Sequence, residues 1–68
     1  MFTAHATNTR TGRGSSRPFD SAEQAAQQLL ILLRADGWTE DPEATVSRLT
    51  TGETIMHKRF EYSVSQEA

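Results

Sequence analysis

Residues 2–7 alternate between apolar and polar side chains at a period of two. This pattern predicts a half-buried strand whose inward positions are Phe2, Ala4 and Ala6. Residues 8–14 then collect Thr, Arg and Gly, which is a turn composition, and residues 15–19 can return as a second strand. Proline has no backbone N–H to donate, so Pro18 places this second strand at a sheet edge or at a strand end.

The next segment has a helical period and carries sequence signals for both ends of a helix. Two overlapping capping boxes, Asp20 with Glu23 and Ser21 with Gln24, predict a helix that begins at residues 20–22. Gly37 suits the left-handed position after a helix, and the next residue can fold back onto the last turn in a Schellman motif. We therefore expect a helix over residues 21–36.

One face of this helix is apolar and the opposite face is polar. At 100° per residue the apolar stripe contains Ala22, Ala25, Ala26, Leu29, Leu32 and Leu33, with Leu30 at its margin. The polar face carries Glu23, Gln24, Gln27, Gln28 and Arg34. Ile31 lies among the glutamines, opposite the stripe. We expect Leu29 and Leu33 to be buried, against Met56 and Phe60.

The second half of the chain predicts two more strands. Pro42 disfavours helix at the residue before it, residues 44–50 predict a third strand with Val46 inward, and Thr51-Gly52 marks a turn. Residues 54–64 predict one long strand, and residues 65–68 a flexible tail. The predicted inward face of the strand over residues 54–64 contains Met56, Phe60, Tyr62 and Val64, and its outward face contains Ile55, His57, Arg59 and Glu61.

The predicted fold class is α+β: a single domain over residues 1–64, with one helix packed on an antiparallel sheet in the order β-β-α-β-β. A single helix covers one face of a four-stranded sheet. The other face would be open to solvent and polar, with His5, His57, Arg59 and Glu61 among its residues.

Composition narrows the class of protein further. The chain has 68 residues, 35% of them hydrophobic, and no Cys, which excludes a disulfide framework and a thiolate zinc site. There is no apolar run of membrane-spanning length, and we expect no leader peptide and no membrane partner. These features predict a cytoplasmic protein. Residues 1–17 hold three arginines and no acid, whereas residues 36–43 hold four acids and no base, so we expect opposite fields at the two ends of the molecule.

Catalytic motifs are missing from the sequence, which favours a binding protein without a cofactor over an enzyme. His5 and His57 would meet across neighbouring strands and could hold a metal with Glu61, but two solvent-exposed histidines explain the pattern as well, and we predict no metal site.

Three groups of residues are candidate binding sites. Arginines on the first hairpin, joined by one on the last strand, could follow a phosphate backbone, contact an acidic protein surface, or only keep the hairpin solvated; they are Arg10, Arg13, Arg17 and Arg59. The acidic residues 36–43 form either a charged loop or a mimic of nucleic-acid phosphates. The uncharged strip on the helix consists of Gln24, Gln27, Gln28 and Ile31. This strip could contact a partner protein or a second copy of the chain. Alternatively, Ile31 is an isolated exposed isoleucine without a binding role.

The segment Arg17-Pro18-Phe19-Asp20-Ser21-Ala22-Glu23-Gln24 resembles a strand-to-helix segment of small phage-encoded anti-CRISPR proteins. The similarity covers eight of the 68 residues, and part of it is the capping box. The small size, the lack of Cys and the single predicted helix on a sheet fit the same style. The resemblance implies an inhibitor that binds a CRISPR effector complex and blocks DNA access or nuclease recruitment.

Overall fold

Two antiparallel hairpins flank a pair of helices. The computed structural model describes residues 1–66. Its elements, in chain order, are β1 (Phe2–Asn8), β2 (Gly14–Phe19), α1 (Ala22–Ala35), α2 (Pro42–Thr50), β3 (Ile55–His57) and β4 (Phe60–Gln66). The four strands form one sheet in the order β2-β1-β4-β3, with every neighbouring pair antiparallel. The predicted α+β class with an antiparallel sheet is confirmed, whereas the single helix and the order β-β-α-β-β are wrong.

The first helix begins and ends where the capping signals predict. The side chain of Ser21 accepts a hydrogen bond from the backbone N–H of Gln24 at 3.1 Å, which satisfies one of the free donors at the helix start. At the other end Gly37 adopts a φ of 94°, and the N–H of Trp38 donates to the carbonyl of Leu33 at 3.0 Å. With the Gly37 N–H donating to Arg34, this is the Schellman arrangement.

The predicted strand over residues 44–50 is instead the helix α2. Asp41 is its N-cap, and the Asp41 carboxylate accepts from the N–H of Ala44 at 2.9 Å. Pro42 occupies the first turn, where its missing N–H costs nothing and its fixed φ suits a helix. Buried Thr45 and Leu49 are four residues apart, a helical spacing, so Val46 is not an inward strand residue.

The predicted long strand over residues 54–64 is a hairpin of two strands. The chain reverses at Lys58 and Arg59, and Lys58 takes a left-handed φ of 54°. Because of this turn, the residues before it point to the opposite faces from those predicted for one continuous strand. Ile55 lies opposite Tyr62 and shares its face of the sheet. Ile55 is therefore buried and Met56 exposed, the reverse of the prediction. Strand β4 continues to Gln66, whereas residues 67–68 of the predicted tail lie outside the described residues.

Both helices pack on one face of the sheet and enclose the core. Its fully buried large side chains are Leu29, Leu33, Leu49 and Ile55. Leu29 and Leu33 are buried as predicted, but the stripe on α1 is rotated towards α2. Leu30, predicted at the margin, is buried, and Leu32 is 39% exposed on the flank that faces β2. Since α2 packs against α1, we attribute the burial of Leu30 to α2.

A buried polar contact joins the loop between the helices to α2. Thr45 is 1% exposed, and its hydroxyl donates to the carbonyl of Asp41 at 2.8 Å while accepting from the indole Nε1–H of Trp38 at 2.9 Å. We expect Thr45→Val to lower the free energy of unfolding by about 1–3 kcal/mol, because the half-buried indole N–H of Trp38 loses its acceptor. The Asp41 carbonyl keeps the hydrogen bond from the backbone N–H of Thr45. Urea denaturation measures this loss. The exposed Thr50→Val is the matched control, and a change as large there would contradict the assignment.

No helix within residues 1–66 combines the length and the apolar character that crossing a lipid bilayer requires.

Candidate partner-binding surface

Strand β2 is the edge strand that the helices leave uncovered. It pairs with β1 on one side only, and every one of its residues is exposed except the half-buried Phe19. In the register Phe2 to Phe19, Ala4 to Arg17 and Ala6 to Ser15, paired side chains share the helix side of the sheet. The β2 residues on that side are Ser15, Arg17 and Phe19. The helices cover them only in part, because α1 packs mainly on β1 and β4 and less on β2.

An open groove runs between α1 and β2 along this uncovered strip. Its larger part is about 690 Å³ and has an apolar floor and wall contributed by Ala6, Leu32, Ala35, Phe60 and Tyr62, with Arg13 at its rim. A second part of about 320 Å³ continues along Ala4, Ser15, Arg17, Gln28 and Leu32. Where Ala4, Ala6 and Ser15 form the floor, their small side chains let a bound group approach the sheet backbone closely, and Leu32 provides an apolar wall.

The glutamine strip on the outer face of α1 adjoins this groove through Gln28, which lines both. Gln24, Gln27, Gln28 and Ile31 lie together on one shallow surface that also includes Phe19 and Glu23. Ile31 is 62% exposed, in the position that the helical wheel predicts. The strip and the groove thus form one continuous surface, the α1–β2 surface, which joins the outer face of α1 to the helix side of β2.

The candidate arginines separate into two groups. Arg13 and Arg17 line the groove, and the Arg17 guanidinium lies 5.6 Å from the centre of the Phe19 ring, a cation–π distance. Arg10 and Arg59 instead lie in the turns of the two hairpins. These turns are adjacent, because the N–H and the hydroxyl of Thr9 donate to the carbonyl of Arg59 at 2.7 and 3.1 Å. Lys58 adds a further positive charge to these tips.

The acidic loop lies at the same end of the sheet as the hairpin tips. His57 contacts both Asp36 and Trp38, and Lys58 Nζ lies 3.8 Å from an oxygen of the Asp36 carboxylate. The prediction of opposite fields at opposite ends is therefore wrong, because antiparallel connections return both segments to one end. Asp36 and Asp41 also serve within the fold, as an ion-pair partner and as a helix cap. Glu40 and Glu43 are exposed, so these two carboxylates are the ones available to mimic nucleic-acid phosphates.

Tyr62 forms part of the groove floor, and the fold perturbs the ionisation of its phenol. Burial, reinforced by the negative charge of Asp36, raises the pKa of the Tyr62 phenol above its ordinary value of 10.0. The folded protein therefore favours the neutral phenol more than the unfolded chain does. The resulting stability is fully present below about pH 10 and is lost as the pH rises through the folded pKa.

We accordingly expect alkaline destabilisation that depends on this single tyrosine. Thermal midpoints measured from neutral to strongly alkaline pH should fall more steeply for the wild type than for Tyr62→Phe, which has no phenol to ionise. The chain contains one Tyr, so an ultraviolet absorbance titration reports it directly. Parallel curves for the two proteins, or a phenol that titrates at or below 10.0, would contradict this account.

The two histidines lie on opposite faces of the sheet, so the predicted exposed pair is wrong for His57. On the open face, His5 Nδ1 lies 2.9 Å from the Ser16 hydroxyl and His5 Nε2 lies 2.7 Å from that of Ser65. His57 is half-buried on the helix side, where Nε2–H donates to the Asp36 carbonyl at 3.0 Å. Within residues 1–66, no cluster of three potential metal ligands occurs. The open face is instead lined mainly by hydroxyl side chains around His5, among them Thr7, Ser16, Ser63 and Ser65.

Sequence reasoning identified the glutamine strip and Ile31 but missed the groove beside them. Leu32 was assigned to the core, and Phe60 and Tyr62 were assigned wholly to it. The available signal was Pro18, which marked β2 as an edge strand. An edge strand with Ser15 and Arg17 on its inner side has too little apolar surface to hold a helix over itself.

Comparison of the chain with protein-family models, with curated proteins and with solved structures found no significant match.

Proposed function

We propose that this protein is a non-enzymatic binding module that holds a protein partner on its α1–β2 surface. The observation that carries the proposal is the exposure of Ile31 and Leu32 beside an edge strand whose helix side is uncovered. Exposed apolar side chains next to an open apolar groove are typical of interaction surfaces. The glutamines around them can accept and donate hydrogen bonds without the desolvation cost of a charge.

The proposed partner belongs to a larger host assembly, and the protein acts as its stoichiometric inhibitor. The basis for this part is the resemblance of residues 17–24 to small phage-encoded anti-CRISPR proteins, together with the absence of catalytic motifs from the sequence. A CRISPR effector complex is therefore the first candidate partner. Binding without turnover is the activity that the proposal requires.

Affinity capture from the native host tests the proposal, with the wild type compared with two variants. Leu32→Glu places a carboxylate in the groove wall, and Ser63→Glu places one on the open face of the sheet. We expect the wild type and Ser63→Glu to retain the same protein in a fixed stoichiometry and Leu32→Glu to lose it. Loss by Ser63→Glu alone, or turnover of a small molecule by the purified protein, would contradict the proposal.

A second candidate function is nucleic-acid binding at the hairpin tips. The specific observation in its favour is the pair of hydrogen bonds from Thr9 to the Arg59 carbonyl, which brings the turn that contains Arg10 beside Lys58 and Arg59. Guanidinium and ammonium groups on adjacent turns can follow a phosphate backbone. The acidic loop at the same end and the net charge of −2 oppose such binding.

For this candidate we expect an affinity that falls steeply with salt. Replacing Arg10, Lys58 and Arg59 with Ser should weaken binding by a similar factor for every DNA or RNA sequence, because phosphate contacts carry no base information. Fluorescence anisotropy with labelled oligonucleotides measures both effects. Arg48→Ser on α2 is the control variant. A wild type that forms no complex at low salt and micromolar concentration eliminates this candidate.

A further inference from the structure

We infer that the α1–β2 groove accepts an amphipathic helix of the partner, with acidic residues along the edge of its apolar stripe. The inference rests on the proposed function and specifies what the surface recognises. In the complex this helix would form a third member of the helical layer, beside α1 and above β2.

The first argument is the spacing of the layers. Strands lie about 4.8 Å apart and packed helices about 8–10 Å apart. The centre of α1 lies above β1 and β4, so a neighbouring helix would lie above β2, on the side away from α2. The 14 residues of α1 give it a length of about 21 Å, so a partner helix of about four turns would match the groove.

The second argument distinguishes a helix from an added strand. An added strand would need a continuous row of free N–H and C=O groups on the outer edge of β2. Pro18 lies within that strand and has no N–H, which is a common protection of sheet edges against pairing. The small floor residues Ala4, Ala6 and Ser15, with Leu32 as a wall, instead form a groove in which leucine-type side chains can insert.

The third argument is charge. Arg13 and Arg17 border the groove along β2, and neither forms an ion pair with a described residue of this chain. The acids nearest to the surface are Glu23, on the outer face of α1, and Asp36, which already interacts with Lys58. Two guanidinium groups without an ion pair on one rim favour carboxylates on the facing edge of the partner helix.

The charges also assign a direction. Arg13 lines the same part of the groove as Ala35 and Asp36, which mark the C-terminal end of α1. A partner helix antiparallel to α1 would place its N-terminal turn there, where acidic residues stabilise a helix and would face Arg13. Its dipole would also oppose that of α1.

Binding of synthetic helices to the full chain tests the inference. The probe is a lactam-bridged helical peptide of about four turns, with leucines on one stripe and glutamates along its edges. One comparison peptide replaces each glutamate with lysine, and another scrambles the sequence. Amide chemical shifts of the isotope-labelled protein locate the bound peptide, and anisotropy gives its affinity.

We expect the acidic peptide to bind and to shift amides in residues 13–19 and 28–35, with the lysine and scrambled peptides at least about tenfold weaker. Two rim contacts of ordinary strength for exposed ion pairs together account for about that factor. Arg13→Ser with Arg17→Ser should abolish the preference for acid, whereas Arg48→Ser should keep it. Equal binding of the acidic and basic peptides, shifts on the open face, no binding at millimolar peptide, or the same shifts from self-association alone would overturn the inference. The proposed function would still hold in that case if affinity capture retains a host protein on the wild type and loses it with Leu32→Glu.

Discussion

Leu29→Ala should lower the free energy of unfolding by about 2–5 kcal/mol, the range for truncation of a buried leucine. Leu29 is 1% exposed and lies in the middle of α1, in the core cluster that also contains Ala25, Leu33 and Tyr62. The substitution leaves a cavity that the surrounding strands can only partly close. A domain of 68 residues lies near the low end of the usual ~5–15 kcal/mol, so this loss approaches its whole stability.

Two neighbouring leucines provide the controls for this prediction. Leu32→Ala, on the groove wall, should cost far less than Leu29→Ala, and Leu30→Ala should cost more than Leu32→Ala. Urea denaturation of the three variants gives the ranking. If Leu32→Ala costs more stability than Leu30→Ala, the apolar stripe lies where the helical wheel predicts it. That result would contradict the packing of α2 against α1.

Ile31→Glu should leave the fold intact and weaken partner association by at least about 100-fold. Ile31 is largely exposed, so the change removes no core contact. In a complex the new carboxylate would be buried without a partner, and the apolar contact of the isoleucine would be lost. Together these effects cost about 3 kcal/mol or more, which is the factor of 100.

Met56→Glu is the matched control, because Met56 has a similar exposed fraction and lies on the open face of the sheet. It lies opposite Glu61, so it should cost a few tenths of a kcal/mol in stability without affecting association. Circular dichroism checks the fold of both variants, and sedimentation reports association. If the wild type alone sediments as a dimer that Ile31→Glu dissociates, the strip contacts a second copy. If Ile31→Glu melts the fold, the isoleucine belongs to the core.

The first hairpin and α1 were predictable because their signals are local. Alternation in residues 2–7, the capping side chain of Ser21 and the left-handed Gly37 each specify backbone geometry without reference to distant residues. The outward position of Ile31 follows from the helical period alone. These features place Ile31 and the glutamines on the outer face of α1, where the structure has them.

The rest depends on tertiary contacts or on weak turn chemistry. Thr45, Val46 and Thr50 have strand propensity, but the packing of Leu49 and the cap of Asp41 make the segment helical. The turn at Lys58 and Arg59 contains none of the residues that usually mark a hairpin, and only the charge of Lys58 within an apolar face indicated it. Because the sequence does not predict α2, the side of α1 that α2 covers cannot be inferred from it. Leu30 is therefore buried and Leu32 partly exposed, the reverse of the helical-wheel prediction.

The central claim is that the α1–β2 surface is where a partner protein binds. Hydrogen exchange of the full chain, measured with and without the captured host protein, tests it most directly. We expect slower exchange in residues 13–19 and 24–35 in the complex and no change at His5, Thr7 and Ser63 on the open face. Slower exchange confined to the open face, or to the hairpin turns around Arg10 and Arg59, would contradict the claim.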